Sequence, residues 1–159
     1  MDEVLNLLID DAKLTPKDIA VMLGKDEREI AEHIKKLEEN KVILGYNTIV
    51  NNQNEDHKMV VAFIEVRINP EKKLGFDSFA KKLYQYPQVR SLYLMSGGYD
   101  FLIEVQGQDL QEVAFFISER LATIGKVTQT STHFLLKKYK ENGIIMFEDN
   151  ENERLAVSP

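Results

Sequence analysis

Residues 15–40 read TPKDIAVMLGKDEREIAEHIKKLEEN, and this stretch decides how the first third of the chain folds. Thr15 is a helix cap, Pro16 suits the first helical position, and Asp18 stands three residues after the cap. Ile19, Ala20, Met22 and Leu23 are the predicted core of that helix, and Gly24 stops it. Asp26 and Glu29 repeat the capping pattern at once, opening a second helix that runs to Asn40. Its Ile30, Ile34 and Leu37 fall on one face, while Arg28, Glu32, Lys35 and Glu39 project from the other. Two capped helices joined through a single glycine make a helix-turn-helix. Upstream, Val4, Leu5, Leu8, Ile9 and Ala12 follow helical spacing, so a short amphipathic helix precedes the pair. Downstream, residues 42–50 read as a short extended segment.

The period then changes. Residues 51–58 (NNQNEDHK) are uniformly polar and predict a linker. Residues 59–68 are rich in β-branched side chains and predict a strand, and Phe76, Phe79, Ala80 and Leu83 a helix ending before Tyr86-Pro87. Strands are expected at 89–95 and 99–106 around a Ser96-Gly97-Gly98 turn. Asp109 and Glu112 cap a further helix whose Leu110, Val113, Ile117, Leu121 and Ile124 share a face, and residues 127–138 form the last strand. The order β-α-β-β-α-β is the ferredoxin-like split arrangement, so the chain is α+β with two domains. The expected division is a helix-turn-helix domain at 1–50, a linker at 51–58, a β-α-β-β-α-β domain at 59–142 and an acidic tail at 143–159.

Composition bounds the chemistry. The 159 residues include no cysteine, which removes disulfides, thiolate metal sites and thiol catalysis. The histidines His33, His57 and His133 are scattered without metal-ligand spacing, so no metal and no cofactor are expected. Ser96 and Ser131 lack a neighbouring histidine–acid pattern, and Gly97-Gly98 lacks the residues of a phosphate loop, so no enzyme is expected. No apolar run is long enough to span a membrane and no secretory signal is visible, which predicts a cytoplasmic protein without a membrane partner. The net charge of −6 is uneven, with 11 acids and 7 bases in residues 1–50 against 11 acids and 12 bases in 51–142. Phosphate neutralisation supplies much of the affinity of nucleic-acid binders. The second helix of the motif nevertheless carries six acids, Asp26, Glu27, Glu29, Glu32, Glu38 and Glu39, against Arg28, Lys35 and Lys36.

The helix-turn-helix running into Leu37-Glu38-Glu39-Asn40-Lys41-Val42-Ile43-Leu44-Gly45-Tyr46 resembles the Lrp/AsnC (feast/famine) transcriptional regulators. Gly97-Gly98-Tyr99-Asp100 is similar to the Gly-x-x-Asp turn of that family's second domain, and Lys41 stands where the family usually has glycine. The resemblance covers roughly residues 2–140. It implies a winged-helix-like DNA-binding domain, then an amino-acid-sensing domain of the RAM or ACT kind.

On that footing, Thr15, Lys17, Lys25, Arg28, Glu32 and Lys35 are the candidate contacts to double-stranded DNA. The plainer reading makes them solvated charges in i,i+4 pairs such as Arg28–Glu32 and Lys35–Glu39. Gly97, Gly98, Tyr99 and Asp100, with Thr130 and Thr132 of the last strand, are the candidate contacts to a small-molecule effector, an amino acid or a related metabolite. The plainer reading there is a hairpin turn and ordinary strand threonines. A homodimer and an octamer are expected, with apolar residues such as Leu92, Leu94, Phe101 and Ile103 contributing to a sheet face that the helices leave open. The alternative is a metabolite-sensing or interaction module whose helix-turn-helix has lost DNA competence.

Overall fold

The computed structural model describes residues 2–51, 59–69, 75–125 and 127–146. Most of the expected linker and the chain from residue 147 onward lie outside the described residues. Two compact units divide between Val50 and Asn51.

The first unit holds α1 (Glu3–Asp10), α2 (Pro16–Leu23) and α3 (Glu27–Glu39). Each start is capped by a side chain: Asp2 accepts from the Val4 and Leu5 amides, Thr15 from Asp18, and Asp26 from Arg28 and Glu29. Gly24 ends α2 in the left-handed region at φ 63°, where a glycine carries no Cβ penalty. Val4, Leu8, Ile19, Ala20 and Ile30 form the buried core, with Ile34 and Ile43 packed against it. The expected core residues Ile9 and Met22 are instead 68% and 58% exposed, because helices this short bury only a narrow stripe. Residues 42–50 form no ladder among the described residues, so the unit shows three helices without a paired wing.

The second unit is built on a sheet ordered β2-β3-β1-β4, from β1 (Val60–Ile68), β2 (Val89–Leu94), β3 (Phe101–Gly107) and β4 (Val127–Phe134). All adjacent strands run antiparallel, the ferredoxin-like order. Helices α4 (Gly75–Leu83) and α5 (Leu110–Phe115) enclose with the sheet a core of Ile64, Val66, Phe79, Leu83, Phe101, Ile103, Phe116 and Leu121, among others. Phe101 and Ile103 are thus in this core, at 2% and 0% exposure, and Leu92 packs against it. They do not supply the open sheet face that the sequence assigned them. That face carries Phe63, Glu65, Arg67, Leu102, Glu104, Tyr93, Ser131 and His133, which the ladder register aligns across the strands. It is mixed, not apolar.

One π-helical turn, Phe116–Leu121, continues α5 and rotates the chain beyond it. Of the expected stripe, Val113 and Leu121 are fully buried and Ile117 and Ile124 pack against the core, whereas Leu110 is 57% exposed and Phe116, outside the stripe, is buried at 2%. The last strand stops at Phe134, and β5 (Lys140–Glu141) pairs with β6 (Ile144–Ile145) across Asn142-Gly143, both at positive φ. The paired chain therefore passes residue 143, where the acidic tail was expected to begin. Asn-Gly is the dipeptide such a two-residue turn demands.

Candidate nucleic-acid interface and effector site

On the first unit, α3 presents Arg28, Glu32 and Lys35 on its exposed side. Arg28 has no ion pair among the described residues, whereas Lys35 sits 3.7 Å from Glu39 and Lys25 lies 3.5 Å from Glu3. Of the two i,i+4 pairs suggested by spacing, Lys35–Glu39 forms and Arg28–Glu32 does not. Thr15 is committed to its cap. Its hydroxyl donates to Asp18 at 2.5 Å and accepts the Asp18 amide at 3.2 Å, so no hydroxyl proton remains for a phosphate. The Thr15 hydroxyl and the Thr15 backbone N–H, which donates to the same Asp18 Oδ2 at 2.9 Å, hold the Asp18 carboxyl below its ordinary value, helped by the charge of exposed Lys17.

His33 meets Asp2 at 2.6 Å and ties the start of α1 to the middle of α3. Burial works to raise the Asp2 carboxyl, but His33 and the Leu5 and Val4 amides outweigh it and hold the group low. These side chains line a cavity of about 560 Å³ with Glu3, Lys25, Glu29 and Lys36.

The α3 terminus explains the motif that follows it. Val42 N–H donates to Leu37 C=O at 2.9 Å and Lys41 N–H to Glu38 C=O at 3.0 Å, a Schellman closure with Lys41 in the left-handed region at φ 57°. Tyr46 hydroxyl then donates to Glu38 Oε1 at 2.9 Å, so the Leu-Glu and Gly-Tyr ends of the motif touch. Burial, then the hydrogen bond and charge of Glu38, raise the Tyr46 hydroxyl above its usual value.

On the second unit, the turn before β3 is fastened to the end of β1. Asp100 Oδ2 accepts from Ile68 N–H at 2.8 Å, Asp100 N–H donates to Val66 C=O at 2.9 Å, and Arg67 Nε donates to Gly98 C=O. Gly97, at φ 140°, supplies the bend. Tyr99 and Asp100 are half-buried. Thr130 and Thr132 pair with Val66 and Ile64 on the other side of β1. One strand intervenes, roughly 10 Å between the turn and the threonines by ordinary strand spacing, so one chain does not bring the two groups onto one small molecule. Thr128, which sequence reasoning passed over, reaches the β1 end instead, its hydroxyl donating to Arg67 C=O at 3.2 Å. Arg67 was also missed; only the ladder register places it beside the turn.

The ladder also assembles a trio that the sequence hid, Ser131, His133 and Glu65. Ser131 Oγ and Glu65 Oε1 both meet His133 Nε2, at 3.3 Å and 3.5 Å. A nucleophile relay needs them on opposite ring nitrogens, so this arrangement is not one. An apolar cavity of about 650 Å³, lined by Met59, Val61, Leu110, Leu135, Leu136 and Met146, lies at the opposite end of β1 from the turn.

Comparison with known proteins agrees with this geometry. Residues 61–145 match the Lrp/AsnC ligand binding domain, and residues 3–43 a winged helix-turn-helix DNA-binding domain. The HTH-type transcriptional regulator YugG of Bacillus subtilis is 37% identical, over 99% of this chain and 95% of that protein. Among solved structures, a transcriptional regulator of Neisseria meningitidis in complex with L-Met superposes with a TM-score of 0.72 at 21% identity, covering 89% of this chain and 93% of that one. E. coli AsnC does so at 0.67 and 20%, covering 87% and 91%. These two likenesses establish the fold.

Proposed function

The chain belongs to the Lrp/AsnC family of transcriptional regulators, and from that membership we propose a sequence-specific, homo-oligomeric DNA-binding regulator whose assembly and DNA affinity respond to an amino acid or related metabolite. The observation that carries the DNA reading is the exposed outer side of a fully capped α3, with Arg28 free of any ion pair among the described residues. Arg28 and Lys17 contact DNA, joined by Lys25 and Lys35 when phosphate displaces their carboxylate partners. Glu32 accepts from a cytosine amine. The protein works in the cytoplasm.

The effector reading is supported by the fastened Gly97–Asp100 turn and by the L-Met complex of the Neisseria relative. Because β1 separates that turn from Thr130 and Thr132, a site using both draws them from different copies of the chain. Copies meet through the exposed apolar surface around the 650 Å³ cavity, where Leu136 is 96% and Leu110 57% exposed. That surface takes over the role first given to the sheet face. An effector that prefers one assembly then shifts the spacing of the DNA-reading units.

The acidic α3 favours a second reading, a sensing module without DNA affinity. Titration of the protein's own upstream DNA at low and physiological salt, with and without a pool of the twenty amino acids, separates the two. Specific binding that weakens with salt and changes with the pool supports the regulator, with Arg28→Ala weakening it. Absence of binding at low salt supports the module.

A further inference from the structure

His33 stands on the flank of α3, one position after exposed Glu32 and three after buried Ile30. Its Nε2 lies 2.6 Å from Asp2 Oδ2, and the two side chains are 43% and 28% exposed, so solvent protons reach the pair. Both residues line the 560 Å³ cavity of the first unit. The charged groups that share this cavity with His33, among the described residues, are Asp2 and Glu3 from the start of α1, Lys25 from the turn before α3, and Glu29, Glu32 and Lys36 from α3 itself. Four carboxylates thus stand against two ammonium groups, and Lys25 is itself 3.5 Å from Glu3. Lys25 and Glu32 are also candidate DNA contacts, so this anionic groove opens at the edge of the DNA-reading surface.

We propose that His33 makes DNA binding proton-dependent: binding draws a proton onto its imidazole, so DNA affinity rises as pH falls. This rests on the DNA reading above and adds a regulation to it. The Nε2–H donates to the Asp2 carboxylate, which stays ionised, so the proton taken up adds at Nδ1 and leaves an imidazolium against a carboxylate. Histidine is the side chain whose ordinary charge change falls in the physiological range. Phosphates brought up to α3 favour the cation, and the cation in turn offsets part of the groove's excess negative charge. The acidity of α3 then becomes the reason that the proton counts. Where the DNA-reading helix carries few cations, one added positive charge shifts the balance.

The test is titration of the full chain with duplex from its own upstream region, at fixed low ionic strength, from about pH 6 to about pH 8. Wild type is expected to bind about 3- to 10-fold more tightly at the lower pH, well within the roughly tenfold per pH unit that one proton allows. His33→Gln keeps an N–H for Asp2 but takes up no proton. It is expected to bind equally at both ends of the range, with the wild-type affinity of the higher pH. Asp2→Asn keeps the α1 cap oxygen and removes the carboxylate behind the imidazolium, so it is expected to shrink the response, and it stands in if the glutamine variant does not fold. Loss of affinity in His33→Gln by the same factor at every pH would make His33 a packing residue only and overturn the assignment. An undiminished pH response in both variants would place the proton elsewhere and overturn it as well. A wild type that binds DNA without pH dependence would overturn it while leaving the DNA reading intact. If wild type binds no DNA at any of these pH values, the DNA reading falls and this assignment with it.

Discussion

Lys41 holds a left-handed backbone, φ 57°, at the position after the α3 cap where the closing hydrogen bonds leave no other conformation. A side chain there costs about 1 kcal/mol relative to glycine. Lys41→Gly should therefore raise the stability of the first unit by about that amount, while Lys41→Ala should not; thermal melts of the three proteins decide it. The glycine that the resembling family carries at this place acquires a physical reason, and the lysine is tolerated at a cost. Asp2 works in the other direction. Its folded-state carboxyl lies below the unfolded value of 3.8, so its contribution is complete above that value and disappears as pH falls through the folded one. Asp2→Asn keeps a capping oxygen and removes the charge that meets His33. The melting-temperature gap between wild type and Asp2→Asn should be full above the unfolded value of 3.8 and close as the pH falls through the lower folded one.

Elements were legible where their signals were local. The capping box of Thr15 and Asp18, the stop at Gly24 and the cap at Asp26 depend on contacts within four residues, and each stands as the sequence spelled it. Faces were less legible, because which side of an element is buried depends on partners elsewhere. The helix after Asp109 shows this. Its π-helical turn follows from no local pattern, and it seats Phe116 in the core against Tyr86, whose ring centre lies 5.5 Å away, while Ile117 packs at the margin of that core. Phe116→Ala should then destabilise the second unit by about 3–5 kcal/mol, whereas Ile117→Ala, at a partly buried site, should cost less. Chemical denaturation of the two variants tests the order; the reverse would restore the 3.6-residue face. The hairpin at Asn142-Gly143 was written in the sequence and overlooked, since its strands are only two residues each. Of the candidate site, the turn was legible from its glycines. Arg67 was not, because its place beside Gly98 is set by pairing between strands more than 30 positions apart.

For the whole molecule, a formal charge of −6 opposes approach to DNA, so specific contacts by a few cations must outweigh a repulsive background. Such a regulator depends more than a basic one on correct spacing of its DNA-reading units, and in the function proposed above spacing is what the effector adjusts. Reciprocity follows: if the amino acid changes DNA affinity by some factor, DNA changes amino-acid affinity by the same factor. Asp100 is the residue at which to break this coupling, provided its structural duty is kept. Its Oδ2 accepts the Ile68 amide, so alanine would loosen the turn as well as remove the charge. Asp100→Asn retains an acceptor for that amide and deletes only the negative charge. The variant should melt like wild type, assemble like wild type by light scattering and bind operator DNA in the absence of amino acid with wild-type affinity. Its amino-acid affinity should fall by tenfold or more, since a hydrogen-bonded charge pair typically contributes about 1.5–3 kcal/mol. Its DNA affinity should then no longer respond to amino-acid concentrations that shift the wild type. A full response in Asp100→Asn, with assembly unchanged, would confine the turn to a structural role and move the effector site elsewhere on the second unit.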